Sequence, residues 1–391
     1  MPDFANRDSG ADMKTLFVCG GVAAFALAAA GTASAKPGDK IAGSYICVFK
    51  AGAVAKSNVR AEAGRAAGNG VKHVYSNSIR GFSANAASAA ALQSRNPNIA
   101  YCEQDQEMGI DQSGPFDFRV VGKPAPSQPA QSVPWGVTRV GGGAGTGSPS
   151  GVAFVIDTGI DLDHPDLNTN SSLHRNFVSR ETSPEDLNGH GTHVAGTIAA
   201  KNNSVGVVGV TPDAVVVAVR VLNRNGRGAN SDVIAGVDYV ADVGQNGDVA
   251  NMSLGGGVSQ ALDSAVIAAA ATGVKFTLAA GNESDDANNH SPARANGPNV
   301  YTVSSFAQGA SATDTVDPWS SFSNFGNPPV DFGEPGSSIP STYKNGGYAT
   351  ASGTSMAAPH LAGILLTRST PASGGTVDGD PDGNPDTIGT K

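Results

Sequence analysis

Five runs built mainly of apolar residues, at 152–156, 215–222, 250–254, 276–280 and 300–304, recur along the second half of the chain, and segments of helical periodicity at 192–200, 232–243, 261–272 and 355–366 alternate with them. A strand that is apolar on both faces must be covered on both, and strands separated by helices run parallel. From residue 130 onward the chain is therefore expected to form an α/β layer fold on a parallel sheet. Sheets of this kind bind ligands beyond the carboxyl ends of their strands. Chemistry is accordingly sought in the residues that follow the apolar runs.

The first run passes directly into Asp157-Thr158-Gly159, so an acid emerges from a buried strand. An aspartic protease would need a second acid to share a proton, and no second Asp-Thr-Gly or Asp-Ser-Gly follows. His190-Gly191-Thr192-His193 opens a helix after Asn188-Gly189, with His190 toward the cleft and His193 toward the core. Neither an H-E-x-x-H pattern nor a third clustered ligand accompanies this pair, which argues against a metal centre. Near the far end, small residues crowd Ser355 in Ser352-Gly353-Thr354-Ser355-Met356-Ala357-Ala358-Pro359, at a helix start. Serine is a weak nucleophile near neutral pH unless a histidine base, an orienting acid and an oxyanion site serve it. An α/β-hydrolase would need G-x-S-x-G and the order Ser, acid, His; this chain has neither.

In that order, Asp157-Thr158-Gly159, His190-Gly191-Thr192-His193 and Gly353-Thr354-Ser355-Met356-Ala357 resemble the three signature blocks of the subtilisin-like serine proteases, the subtilisin and proteinase K relatives. The resemblance runs from residue 40 to about 366. It implies a three-layer parallel-sheet catalytic domain over 130–391 in which Ser355 attacks a peptide carbonyl, His190 moves the proton and Asp157 orients the imidazole. It also implies Asn282, in Ala279-Ala280-Gly281-Asn282, as oxyanion donor beside the Ser355 N–H. By the same resemblance Gly226-Arg227-Gly228 and Ser253-Leu254-Gly255 form two sides of a clamp for an extended polypeptide, with Ala279, Ala280 and Gly281 completing the substrate site and Glu283 and His290 bordering the main pocket. Main-chain pairing ignores side-chain identity, so broad sequence tolerance is expected. Asn230 stands where proteinase K relatives carry an aromatic, implying a less hydrophobic outer subsite.

Residues 130–137 resemble a mature amino terminus of the family, and this implies a structural Ca²⁺ site made by Gln131, Asp166, Asn203 and the carbonyls of Lys201, Val205 and Val207. Carboxylate, amide and backbone oxygens are suitable hard ligands for that ion. A second site is implied at the Pro298 and Val300 carbonyls with Asp331. No organic cofactor is expected.

Residues 36–108 read as a small α+β unit with strands at 44–50, 71–75 and 99–104, helices at 54–67 and 86–95, and Gly81-Phe82-Ser83 between them. Through Tyr45-Ile46, Arg80-Gly81-Phe82-Ser83 and Tyr101-Cys102-Glu103-Gln104-Asp105 the unit resembles the family's propeptide, a ferredoxin-like chaperone and intramolecular inhibitor. Cys47 and Cys102 could form a bridge or serve as two small core residues. In that fold they would lie on adjacent strands. A Pro-rich linker follows at 109–129, where self-processing is expected, ending after Pro129. Upstream, Met13-Lys14, an apolar stretch at 16–30 and Ala33-Ser34-Ala35 have the order of a secretory signal over 1–35, with Met13 as an alternative start. The expected location is extracellular, with the periplasm as alternative, and no membrane insertion remains once the signal is removed.

A formal net charge of -9 argues against a nucleic-acid partner. A monomer is expected. From about 371 the chain turns polar and Gly/Asp-rich, so part of the layer that family members carry after the nucleophile helix is expected to be missing. The acids of 378–384 alternate as in a calcium loop, but Gly389 stands where an EF-hand needs glutamate, which favours an acidic turn. The alternative to a protease is an inactive secreted binding or scaffold protein of the same fold.

Overall fold

The computed structural model describes residues 35–110, 119–120, 128–143, 149–179, 181–310 and 316–391. The expected leader, up to residue 34, and most of the linker lie outside the described residues. Among the described residues, no helix is long and apolar enough to cross a membrane.

The first elements are β1 (Lys40–Phe49), α1 (Val59–Ala67), β2 (Val71–Tyr75), β3 (Gly81–Asn85), α2 (Ala89–Arg95) and β4 (Ile99–Gly109). The four strands pair antiparallel in the order β2-β3-β1-β4. Val59, Ala63 and Ala66 of α1 and Leu92 of α2 meet Phe49, Phe82 and Ala84 in one core. Helix α2 begins later than expected because Ser88 caps it, its hydroxyl accepting from the Ala91 N–H at 3.1 Å. Cys47 faces Cys102 across β1 and β4, and the two form a disulfide with Cα atoms 4.0 Å apart. The bridge is thus the alternative realised.

Next come β5 (Arg119–Val120), α3 (Trp135–Arg139), β6 (Ala153–Asp157), β7 (Arg175–Asn176), α4 (His190–Ala199), β8 (Val216–Arg220), β9 (Arg227–Ala229), α5 (Asn230–Val243) and β10 (Val249–Met252). They are followed by β11 (Gly256–Gly257), α6 (Gln260–Ala270), β12 (Lys275–Ala279), β13 (His290–Ser291), β14 (Val300–Phe306), β15 (Val330–Pro335), β16 (Ile339–Tyr343), β17 (Gly347–Ala351), α7 (Thr354–Leu365), β18 (Ala372–Thr376) and β19 (Thr387–Thr390). The five apolar runs are β6, β8, β10, β12 and β14, neighbours in a nine-stranded sheet of order β18-β19-β15-β14-β12-β10-β6-β8-β7. Its pairings are parallel except β18 with β19.

Successive strand residues point to opposite faces, and the two faces carry different cores. Phe154, Ile156, Val217 and Val219 pack with Val233, Ile234 and Val237 of α5 and with Leu262 and Val266 of α6. Ala153, Val155, Val216 and Ala218 pack instead with Val194 and Ile198 of α4 and Met356 and Leu361 of α7. On that face α4 starts where His190 meets Asp157 at the end of β6, and α7 starts where Ser355 meets Ser253 just past β10.

The end of the chain corrects one expectation. The segment after 371 is not merely a polar tail: β19 lies parallel to β15, Ile388 is wholly buried, and Lys391 Nζ donates to the Val210 carbonyl at 2.9 Å. The stretch 378–384 does form turns, Asp380 Oδ1 and Asp382 Oδ1 accepting from the N–H groups of Asp382 and Asn384.

Candidate active site

Asp157 ends β6 and His190 opens α4, which is how residues 33 apart in sequence become neighbours at the same end of the sheet. His190 Nδ1 lies 2.8 and 2.9 Å from the two carboxylate oxygens of Asp157, both side chains fully buried. A carboxylate only accepts, so Nδ1 carries the proton and Nε2 is the nitrogen left for base chemistry. The close approach depends on Gly191, where an added Cβ would stand 2.1 Å from the Gly159 carbonyl and 3.2 Å from Asp157 Cβ.

Sequence reasoning missed the residue that fixes this helix start. Asp186 Oδ1 accepts from the Asn188 and Gly189 N–H groups and from the Thr158 hydroxyl, while Oδ2 accepts from the Thr192 N–H and hydroxyl. No capping signal points to it, since the residue directly before the helix is Gly189, which carries no side-chain cap. His193 turns into the core as expected. Its Nε2 meets the Ile339 and Ala349 carbonyls, and burial lowers its pKa to about 3, so it stays neutral.

Ser355 is the second residue of α7 and is nearly buried. Its hydroxyl donates to the Ser253 carbonyl at 3.4 Å, and the Ser253 hydroxyl donates to the Ser355 carbonyl at 2.9 Å. Asn282 follows β12; its Oδ1 accepts from the Thr354 N–H at 2.8 Å and the Thr354 hydroxyl at 2.9 Å. With the amide oxygen held in this way, Nδ2 is the group turned to other work. Ser355, Thr354, Asn282, Glu283, His290, Leu254, Gly255, Ala279, Ala280 and Gly281 line one pocket together. All the residues expected at the main pocket meet there.

The residues expected to form the clamp pair with the chain itself. Glu107, Met108 and Gly109 pair antiparallel with Ala229, Gly228 and Arg227, and the Ile110 N–H donates to the Gly226 carbonyl at 3.1 Å. On the other side, Gly109 and Gly255 exchange both backbone hydrogen bonds, at 2.9 and 3.1 Å. An extended segment thus lies between the two expected strands. Met108 and Ile110 are buried in the same core as Leu254, Val233 and Ile234. Asn230 is buried, and its Nδ2 donates to the Ser259 hydroxyl at 2.7 Å.

Around the expected first calcium site, Gln131 Oε1 accepts from the Asn203 N–H at 2.6 Å, Asn203 Nδ2 donates to Asp166 Oδ1 at 2.7 Å, and the Val207 N–H donates to Asp166 Oδ2 at 3.1 Å. Val205 closes the loop by donating to Asn203 Oδ1, and Lys201 N–H donates to the Asp166 carbonyl. Asp166 is buried, and desolvation raises its carboxyl to about 6. Carboxylate and amide oxygens are of the kind a hard divalent cation takes, and here N–H groups engage them: Asn203 and Val207 at Asp166, Asn203 at Gln131, and Val205 at Asn203. At the second expected site, Asp331 is exposed on β15 and accepts from the Thr302 N–H at 2.9 Å near the start of β14 at Val300; Pro298 lies in the loop just before. An acidic cluster not foreseen from sequence joins Asp161, Asp163 and Glu185, with oxygens within 4.8 Å of one another.

Residues 152–369 match the family described as the Subtilase family. The chain is 42% identical over 308 residues to alkaline serine exoprotease A of Vibrio alginolyticus, covering 75% of this chain and 52% of that protein, so it spans about half the length of that relative. It is 34% identical over 345 residues to Proteinase R of Parengyodontium album, covering 84% and 79% of the two chains. The solved structure of a cold adapted subtilisin-like serine proteinase superposes with a TM-score of 0.53 at 39% identity, over 65% of this chain and 96% of the other.

Proposed function

The chain belongs to the subtilase family, and from that premise we propose that it is a secreted serine endopeptidase made as a self-processing precursor. The observation that carries this reading is the buried contact of His190 Nδ1 with both oxygens of Asp157, at the end of the sheet where Ser355 and Asn282 share a pocket. Ser355 attacks the carbonyl of a bound peptide as His190 Nε2 takes its proton. The imidazolium then protonates the leaving amine, and water repeats the sequence on the acyl-enzyme. Asp157 holds the tautomer and balances the imidazolium charge. Asn282 Nδ2 and the Ser355 N–H serve the developing oxyanion, a role whose loss typically costs about 10² to 10³ in rate.

Residues 36–108 act as a ferredoxin-like inhibitory propeptide. This is supported by the strand Glu107–Gly109 held antiparallel in the clamp, as an extended substrate would be. Maturation then cuts within the linker 109–129 and leaves a final amino terminus after Pro129. Substrates are extended polypeptides, and the mature enzyme is an extracellular monomer. Ca²⁺ held by Gln131, Asp166, Asn203 and the carbonyls of Lys201, Val205 and Val207 would brace the fold, with a second ion at Pro298, Val300 and Asp331.

Expression of the wild-type and Ser355→Ala precursors side by side tests this. The wild type is expected to release the propeptide and then hydrolyse casein, while the variant stays one chain. Processing of purified Ser355→Ala would refute self-maturation. A matured wild type that leaves casein intact would favour the inactive scaffold.

A further inference from the structure

Strand β9 of the clamp starts with a charged side chain set between two glycines, Arg227 between Gly226 and Gly228. Pairing with the inserted segment uses only its backbone. Among the described residues, its side-chain Nη1 is buried without a hydrogen-bond partner. A Cβ added to Gly109 would stand 3.1 Å from Arg227 Cδ, 3.2 Å from Nη1 and 2.8 Å from the Gly226 carbonyl oxygen, so the place of Gly109 is closed to side chains. Strand residues two apart share a face, and the next on that face is Glu107, opposite Ala229 and diagonal to Arg227. Met108 and Ile110 take the other face, in the core. Diagonal partners across an antiparallel pair are within reach of long side chains, and opposite charges there attract.

Glu107 and Arg227 both line a cavity of about 580 Å³ beside the clamp, with Lys72, Glu181, Arg224 and Asp232. The other charges are paired. Arg224 Nε lies 3.2 Å from Glu181, which also binds Arg220; Asp232 lies 2.7 Å from His73, and Lys72 lies 3.6 Å from Asp105. Burial pushes the Glu107 carboxyl up, and Arg227 comes first among the charges acting on it, holding it down against Asp105, Asp39 and, last, Asp232. Asp39 and Asp105 belong to the propeptide and leave with it. At the place vacated by Glu107, the attraction of Arg227 then exceeds the repulsion of Asp232.

The register fixes how far this place lies from Ser355. Antiparallel strands advance residue for residue, and Gly109 is opposite Gly255, so two residues further along a bound peptide faces Ser253, whose carbonyl accepts from the Ser355 hydroxyl at 3.4 Å. With the attacked carbonyl on that residue, the place of Gly109 is the third and the place of Glu107 the fifth on the acyl side of the cleaved bond. We infer that the Arg227 side chain is a specificity-determining residue that selects an anionic side chain, glutamate foremost, at this fifth position. A guanidinium stays charged at every working pH, so the preference responds to salt.

The inference rests on the protease reading, and the test distinguishes the two. Peptides with glycine at the third position, identical except for glutamate, glutamine or lysine at the fifth, are assayed with the matured enzyme. Rates are compared as ratios of kcat/KM within each enzyme, which cancels any general loss of activity in a variant. The glutamate-to-lysine ratio is expected to be about fivefold in the wild type at low salt, and to shrink toward one between about 0.01 M and about 1 M salt. In Arg227→Gln it is expected near one or below at either salt, while Arg227→Lys restores part of it. Should Arg227→Gln fail to mature, the wild-type salt series and Arg227→Lys still decide the matter. A wild-type ratio near one at low salt, or an undiminished ratio in Arg227→Gln, overturns the inference and leaves the protease reading intact. Cleavage of none of the peptides by the matured wild type overturns both.

Discussion

His190 Nδ1 sits between the two carboxylate oxygens of Asp157, at 2.8 and 2.9 Å, with neither side chain exposed to water. The contact fixes a tautomer, and its consequence can be isolated. Asp157→Asn keeps the shape but offers Nδ1 a donor in place of an oxygen, so the proton moves to Nε2, where a base is required. Activity on peptides is expected to fall by about 10⁴ with unfolding temperature little changed. Retention of a tenth or more of the activity would remove Asp157 from its role.

Calcium should brace the amino-terminal strap. A ligand that binds only the folded state raises stability by mass action. Thermal unfolding in excess chelator is therefore expected at a lower temperature than in millimolar Ca²⁺, with the difference largely abolished in Asp166→Ala. Identical unfolding in chelator and calcium would remove both proposed sites.

The carboxyl-terminal turn carries a pH dependence. Asp386 is nearly buried, accepts from the Ser304 hydroxyl and faces Asp380 and Asp382; desolvation first, then these neighbours, raise its pKa from 3.8 to about 7. In the folded state it holds a proton that the unfolded chain releases. Its contribution is therefore complete below about pH 4 and is lost as pH rises through 7. Asp386→Asn is expected to flatten the fall of stability between pH 4 and 7 and to raise stability at pH 8 by on the order of 2 kcal/mol. Urea midpoints across that range measure it, and a variant whose midpoints track the wild type would contradict it.

How much of this was legible follows from where each element finds its partners. The five apolar runs became adjacent strands because their two-faced character is local. The signature residues Asp157, His190 and Ser355 could be read because each sits at a strand or helix boundary with its own turn chemistry. What sequence did not foresee depends on distant partners. The strand expected to end at 104 runs on to Gly109, because Asp105 accepts from the Ser231 N–H and hydroxyl and Gly109 pairs with Arg227 and Gly255. Strand β15 is broken in sequence by Asp331 and Glu334, and β19 is four residues long, so neither has a periodicity to detect. Glu334 is wholly buried, and desolvation lifts its pKa well above the usual carboxylate range. A neutral acid in a strand core reads as a loop when only its letter is known.

The most direct measurement is covalent. Matured protein treated with a fluorophosphonate and digested for mass mapping should carry one label, on Ser355, and His190→Ala under the same conditions should carry almost none. A folded, processed wild type that leaves Ser355 unmodified, or that takes the label at another serine, would contradict the account.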